Sequence, residues 1–248
     1  RQHIRLILQN VGYPLTDFES RLELIEAISD IVEGHLLAYL SGVLHRDVSF
    51  GNVMLVRKGA VEFCGFIDDL DYSSPVDSSN GTVVTVTTPL SAGERKKFRE
   101  LENELKERTG TVEFMAMELI DADPENDVPH QAHHDLESFF WLLVWVVLRH
   151  MNHDHKEGKG AFADIFGAIT PKQVKKMKES LFYKKMFTVK DNAPLSYLLK
   201  RLRSMVFKAY VEDIAQTPVP LTYDAMLKAF DEVLWMEGWP EDDAAIPF

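Results

Sequence analysis

Cysteine is almost missing: Cys64 is the only one in 248 residues. An internal disulfide is thereby excluded, and the usage fits a reducing, intracellular compartment, cytoplasmic or nuclear. Long apolar runs are missing too. The longest, Phe139 to Leu148, is about half of what a membrane-spanning helix needs and predicts a buried core helix instead. Basic charge is scarce, with 27 Lys and Arg against 39 Asp and Glu and a formal net charge of −12. Such a surface repels polyanions, so neither nucleic acid nor an anionic membrane is expected as a main partner. No internal repeat or low-complexity tract interrupts the chain, and its length suits one large domain or lobe. The opening Arg1-Gln2-His3 has no methionine and no secretory pattern, so the expectation is an excerpt of a longer protein.

What is present is organised around Val43-Leu44-His45-Arg46-Asp47-Val48-Ser49-Phe50-Gly51-Asn52-Val53-Met54-Leu55. Apolar residues on both sides predict strands that hold the loop rigid and aim Asp47 and Asn52 at one point. Asp47 can accept a proton or orient a hydroxyl, and Asn52 offers a neutral oxygen to a hard cation. Downstream come Phe63-Cys64-Gly65-Phe66-Ile67-Asp68-Asp69-Leu70-Asp71 and Gly110-Thr111-Val112-Glu113-Phe114-Met115-Ala116-Met117-Glu118. In this order the three resemble the H-R-D-x-x-x-x-N loop, the D-F-G metal motif and the G-T-x-x-Y-x-A-P-E segment of protein kinases. The chain most resembles the fungal-type protein kinase family, with its H-R-D-[IV]-S-x-G-N loop, D-[FL]-D motif and F-M-A-x-E segment. The likeness covers nearly the whole chain and is strongest from Leu44 to Trp145.

That resemblance implies a protein-kinase-like C-terminal lobe, mainly α with small β hairpins. Residues 1–16 would be a hinge strand and turn, and 17–248 the lobe, with an activation-segment insert at about 73–108. It implies ATP- and Mg²⁺-dependent phosphorylation of protein Ser or Thr. Asp47 would orient the attacking hydroxyl, and Asn52 and Asp69 would hold Mg²⁺ on the phosphates. Arg46 would receive a phosphorylated activation segment. Thr111 matches the threonine that contacts the catalytic Asp in Ser/Thr kinases. Leu8 falls near the gatekeeper of the hinge, and Met54 matches the apolar floor beneath adenine. A protein substrate is expected, together with an N-lobe of the same protein, because no Gly-rich loop, strand Lys or partner Glu precedes Arg5.

Three residues depart from the common kinase pattern: Ser49 replaces a Lys, Asp71 a Gly, and Met117 a stiffening Pro. They keep a pseudokinase or interaction module open as an alternative. Gly51 before Asn52 raises a second, a small-molecule kinase of the aminoglycoside or choline type. Such enzymes usually lack the Gly110–Glu118 pattern.

Local patterns give the expected elements. Arg5–Val11 reads as a strand broken by a Gly12-Tyr13-Pro14 turn. Ser20-Arg21-Leu22-Glu23 is a capping box. Apolar residues from Leu22 to Leu40 then predict a helix ending at Ser41-Gly42. A hairpin is expected around Lys58-Gly59, with alternation sending Asp68 and Asp69 to opposite faces, so that only one addresses a metal. Ser73–Ser91 reads as a loop with a short strand near Val83–Val86, and Glu94–Arg108 as a charged surface helix. His134–Ser138 opens the core helix, where Asp135 matches the residue that bonds the catalytic-loop backbone in kinases. Helices follow from Thr170-Pro171 to Lys178, from Leu195 to Tyr210, and from a Thr222 cap to Trp235. The tail Glu241-Asp242-Asp243 is expected to fray. The groups His130, His133, His134 and His150, His153, His155 with Asp154 are read as surface or helix-end residues rather than Zn²⁺ ligands. His35 is read as packed or exposed.

Overall fold

α3, Ala132–His150, runs through the centre, and every residue from His134 to Leu148 along it is buried. A helix that is apolar all round has no face to offer water, so other elements must wrap it. The computed structural model describes residues 12–57, 59, 62–77, 82–83, 111–120, 128–168, 170–210 and 217–248. Among these the helices are α1 (Arg21–Leu40), α2 (Met117–Ile120), α3, α4 (Ala161–Phe166), α5 (Pro171–Tyr183), α6 (Ala193–Tyr210) and α7 (Tyr223–Leu234). α1, α4 and α6 pack on α3; α7 closes over α1 and α6, and α5 touches α2 and α4. No helix among the described residues is long and apolar enough to cross a membrane.

The helix boundaries follow local chemistry. The Ser20 hydroxyl accepts the Glu23 N–H at 3.1 Å, and the Glu23 carboxylate reaches back to the Glu19 N–H at 2.6 Å. Gly42, just past the α1 C-cap, takes φ 87°, where a side chain would be strained. Thr170 and Thr222 cap α5 and α7 as their positions predict. α5 outruns its predicted end at Lys178 because Leu181 and Phe182 continue the apolar stripe.

Among the described residues, six short strands make two sheets. β1 (Tyr13–Pro14), β3 (Val53–Leu55) and β4 (Gly65–Ile67) form one, in the order β1-β3-β4. β2 (Val43–Leu44), β5 (Ser74–Asp77) and β6 (Thr82–Val83) form the other, in the order β2-β5-β6. All pairings are antiparallel. β4 lies directly on α1: a Cβ on Gly65 would come within 2.6 Å of the Ala27 carbonyl oxygen, so only glycine allows this approach.

Three expectations need correction. Tyr13-Pro14 is not a turn but a strand against Leu55 and Met54, with Pro14 at the margin of the sheet. Ser74–Asp77 is not loop: it pairs with Val43-Leu44, a long-range partner that local composition does not reveal. The acidic tail does not fray at Asp243, which is buried, accepts the Arg21 N–H at 2.9 Å and pairs with the Arg21 guanidinium at 3.4 Å. The Arg5–Val11 strand, the hinge residue Leu8 and the Glu94–Arg108 helix fall outside the described residues.

Candidate active site

β2 and β3 flank the His45–Asn52 loop and bring its polar residues inside. Asp47, Ser49 and Asn52 are all buried. The Asn52 amide donates to the Asp47 carbonyl at 2.8 Å and to the Asp47 carboxylate at 3.0 Å, so acid and amide are clasped as one unit. His45 accepts the Asp47 N–H at Nδ1, 3.3 Å, which leaves the ring proton on Nε2 to donate to the Asp68 carbonyl at 2.9 Å. Arg46 takes φ 70°, a left-handed backbone uncommon for a non-glycine residue.

The acidic strand end is pinned to this loop. The Asp68 N–H donates to the Asn52 carbonyl at 2.8 Å while its own carbonyl receives His45. Strand geometry stops at Ile67, and Asp69 turns left-handed at φ 63°. Strand alternation therefore does not extend to Asp68 and Asp69. Asp69 is exposed, and one of its oxygens accepts the Asp71 N–H at 3.1 Å. Met54, half-buried in β3, is opposite Phe66 and Pro14. A Cβ on Gly12 would fall 2.5 Å from the Met54 Cβ, so glycine is needed above it. Arg46 directs its guanidinium to the Ser74 hydroxyl at 2.8 Å and the Tyr72 carbonyl at 3.5 Å.

Asp135, at the head of α3, is the hub beneath the loop. One of its oxygens accepts the Arg46 N–H and His35 Nε2, both at 2.9 Å, and the other accepts His130 Nε2 at 2.6 Å. Burial works to raise its carboxyl, but His130 and His35 overcome this and hold it well below the ordinary range. His35 is packed, its second nitrogen meeting the Tyr223 hydroxyl at 2.7 Å.

The Thr111–Glu118 segment borders the same loop through α3. Phe50 stacks on Trp145 at 4.8 Å, Phe114 leans on the same ring, and Trp145 donates to Glu113 at 3.0 Å. Thr111 opens a 3-10 turn; its side chain is outside the described residues. A family model described as fungal protein kinase matches residues 1–147. The chain belongs to that family. A search of the curated proteins found no match. The family match takes in the loop, the acidic strand end, the bordering segment and α3 nearly to its end. α4 to α7 lie beyond it.

In this member of the fungal protein kinase family, several structured groups at the border give little sign in the sequence. Glu137, 1% exposed, accepts the Met117 N–H at 3.0 Å, Trp141 Nε1 at 2.8 Å and the Tyr210 hydroxyl. Lys178, fully buried, donates to the Met115 carbonyl at 2.6 Å and stands 4.7 Å from the centre of the Trp141 ring. Burial pushes this amine down to about 7, against the pull of Glu137 and Glu113. One signal was available for Lys178: it shares the apolar stripe of α5 with Val174 and Leu181 at helical spacing.

Glu118, His133 and His134 bring ligand atoms within 4.8 Å of one another. The tautomer argues against a metal site there. His134 Nδ1 accepts the Gln131 N–H at 3.0 Å, so the proton sits on Nε2 and is donated to Glu118 at 3.0 Å. A metal-ligating histidine has the reverse arrangement, a bare nitrogen toward the metal and an N–H toward its second partner. His134 is thus a buried helix-start residue, not a surface one.

Proposed function

We propose that this chain is the catalytic, kinase-like C-terminal lobe of an enzyme that transfers phosphate from Mg²⁺-bound ATP to serine or threonine of proteins. The observation that carries the reading is the clasp of Asn52 on Asp47, tied through the Asp68 backbone to Asp69. Phosphoryl transfer asks for placement and charge rather than covalent chemistry, and this is an arrangement that fixes placement. The donor set suits magnesium. Asn52, its Nδ2 committed to Asp47, retains an amide oxygen, and Asp69 brings a carboxylate; hard cations take such oxygens. Bound Mg²⁺-ATP would supply the phosphoryl group and the counter-charge that steadies it.

In this reading Asp47 orients the substrate hydroxyl and receives its proton, and Arg46 holds the start of the activation segment at Ser74. Met54 underlies the base. Thr111 favours hydroxyls of serine and threonine over tyrosine. The N-lobe of the same protein closes the nucleotide from the other side. The test uses full-length protein with Mg²⁺-ATP and a mixed peptide set, followed by phosphoamino-acid analysis. Phosphoserine or phosphothreonine is expected, and Asp47→Asn should lose about 10²- to 10⁴-fold in turnover, the ordinary worth of general-base help. Asp69→Asn should weaken Mg²⁺-dependent nucleotide binding. Equal turnover in wild type and Asp47→Asn, or phosphotyrosine alone, sinks the assignment.

A further inference from the structure

Met117 stands where kinases commonly carry a proline, and it brings a backbone N–H that a proline would lack. That N–H is used. As the first residue of α2 it has no partner within its own helix, and it donates to the buried Glu137 carboxylate at 3.0 Å. The next N–H, of Glu118, donates to the Tyr210 hydroxyl at 3.2 Å, and that hydroxyl in turn donates to the other oxygen of Glu137. On the far side Lys178 takes the Met115 carbonyl. Three residues of this four-residue segment, Met115, Met117 and Glu118, are therefore held by side chains from α3, α5 and α6. These partners are separated from the segment by between 20 and 92 positions in sequence.

We propose that Glu137, Tyr210 and Lys178 form a buried lock that replaces the missing proline and sets the position of Met115–Glu118 along the border of the catalytic loop. Glu137 is its positioning residue: it lies outside the His45–Asn52 loop and acts through the segment. The segment reaches the loop by Phe114 and Trp145, with Phe50 stacked on the same indole. A peptide offering its hydroxyl to Asp47 meets this border, whereas the nucleotide lies toward Met54. The purpose of the lock rests on the kinase reading; its existence does not.

The first variant, Tyr210→Phe, removes one hydroxyl and keeps the ring. In full-length protein it should speed amide exchange at Met117 and Glu118 by about tenfold, the scale of one lost net hydrogen bond. KM for the peptide should rise by a similar factor while KM for ATP holds. The second is a cycle with Met117→Pro. Proline is ordinarily accepted at the first helical residue, and the cycle separates loss of the N–H from a steric effect. It should raise peptide KM in the wild-type background and change little in Glu137→Leu, where the acceptor is already gone. Equal losses in both backgrounds make the effect steric and overturn the lock. Unchanged exchange in Tyr210→Phe overturns it as well, and decides alone if Glu137→Leu does not fold. Faster exchange with both KM values unmoved overturns the positioning role. A wild-type protein that transfers no phosphate defeats the kinase reading separately, and the exchange measurements still decide the lock.

Discussion

His134 has to satisfy a helix start and a carboxylate with one ring. Nδ1 accepts the Gln131 N–H, and Nε2 donates to Glu118. Burial, reinforced by His133, pushes the ring down to about 4 from an ordinary 6.5. The sign follows from proton counts. Between those values the unfolded chain holds the proton and the folded chain does not, so stability rises with pH across the window. The contribution is fully present above about pH 6.5 and is lost as pH falls toward 4. Thermal melting followed from pH 7.5 to 4.5 should show this loss. His134→Gln, whose amide can still accept the Gln131 N–H, should flatten it. An equally steep profile in the variant would remove His134 from the explanation. Asp135 makes a complementary case. Asp135→Ala removes the carboxylate that the Arg46 N–H, His35 and His130 share, and a buried donor whose acceptor is removed costs about 1–3 kcal/mol. Melting should drop together with activity, and Arg46 amide exchange should quicken. A fall in activity at unaltered melting would give Asp135 another job.

At the scale of elements, the contact between β4 and α1 decides where the acidic strand end sits. Gly65 lets the strand backbone rest on Ala27 of α1, and the ladder from Val53↔Ile67 to Leu55↔Gly65 carries that position to Asp68. Gly65→Ala would push a methyl against a backbone carbonyl that cannot turn aside. Overpacking of this kind costs about 1–3 kcal/mol. Denaturant unfolding should report the loss, and on the kinase function proposed above Mg²⁺-dependent nucleotide binding should weaken with it. If the variant unfolds at the wild-type midpoint, the contact is looser than the distances say. The strand Ser74–Asp77 belongs to this scale too. β5 pairs with β2, placing Ser74 opposite Leu44 and under the Arg46 guanidinium. A loop reading of Ser73–Ser91 missed this because strand pairing is decided by a partner some thirty residues away in sequence, not by the composition of the strand.

Over the whole molecule, the far end of the chain returns to the first helix. Asp243 caps the Arg21 N–H and pairs with its guanidinium, with side chains 8% and 4% exposed. The Ala245 and Ile246 N–H groups donate to Phe18 and His150. Removing one partner of a buried pair leaves the other charge stranded, at about 3–5 kcal/mol. Asp243→Ala should therefore lower the melting temperature, whereas Asp242→Ala, at an exposed neighbour, should not. Equal effects at the two positions would show that the tail contributes only its general acidity.

The sequence by itself determined the mainly helical architecture, the capped starts of α1, α5 and α7, the central apolar helix and the order of the three motifs. Each of these rests on neighbours within a few residues: hydroxyls before helices, apolar spacing, a loop set between short apolar runs. Membership in the family was legible for the same reason, since its motifs are local strings. Only the tertiary structure decided what those strings touch. Asp135 gathers Arg46, His35 and His130 from three separate stretches. Glu137 and Lys178, which look like ordinary surface charges when read one at a time, become buried because Met115, Met117, Trp141 and Tyr210 gather around them. Met117 reads as a lost proline until the fold supplies a carboxylate for its N–H. Burial and pairing across long separations depend on which elements share the core, and that is settled by packing the whole chain at once.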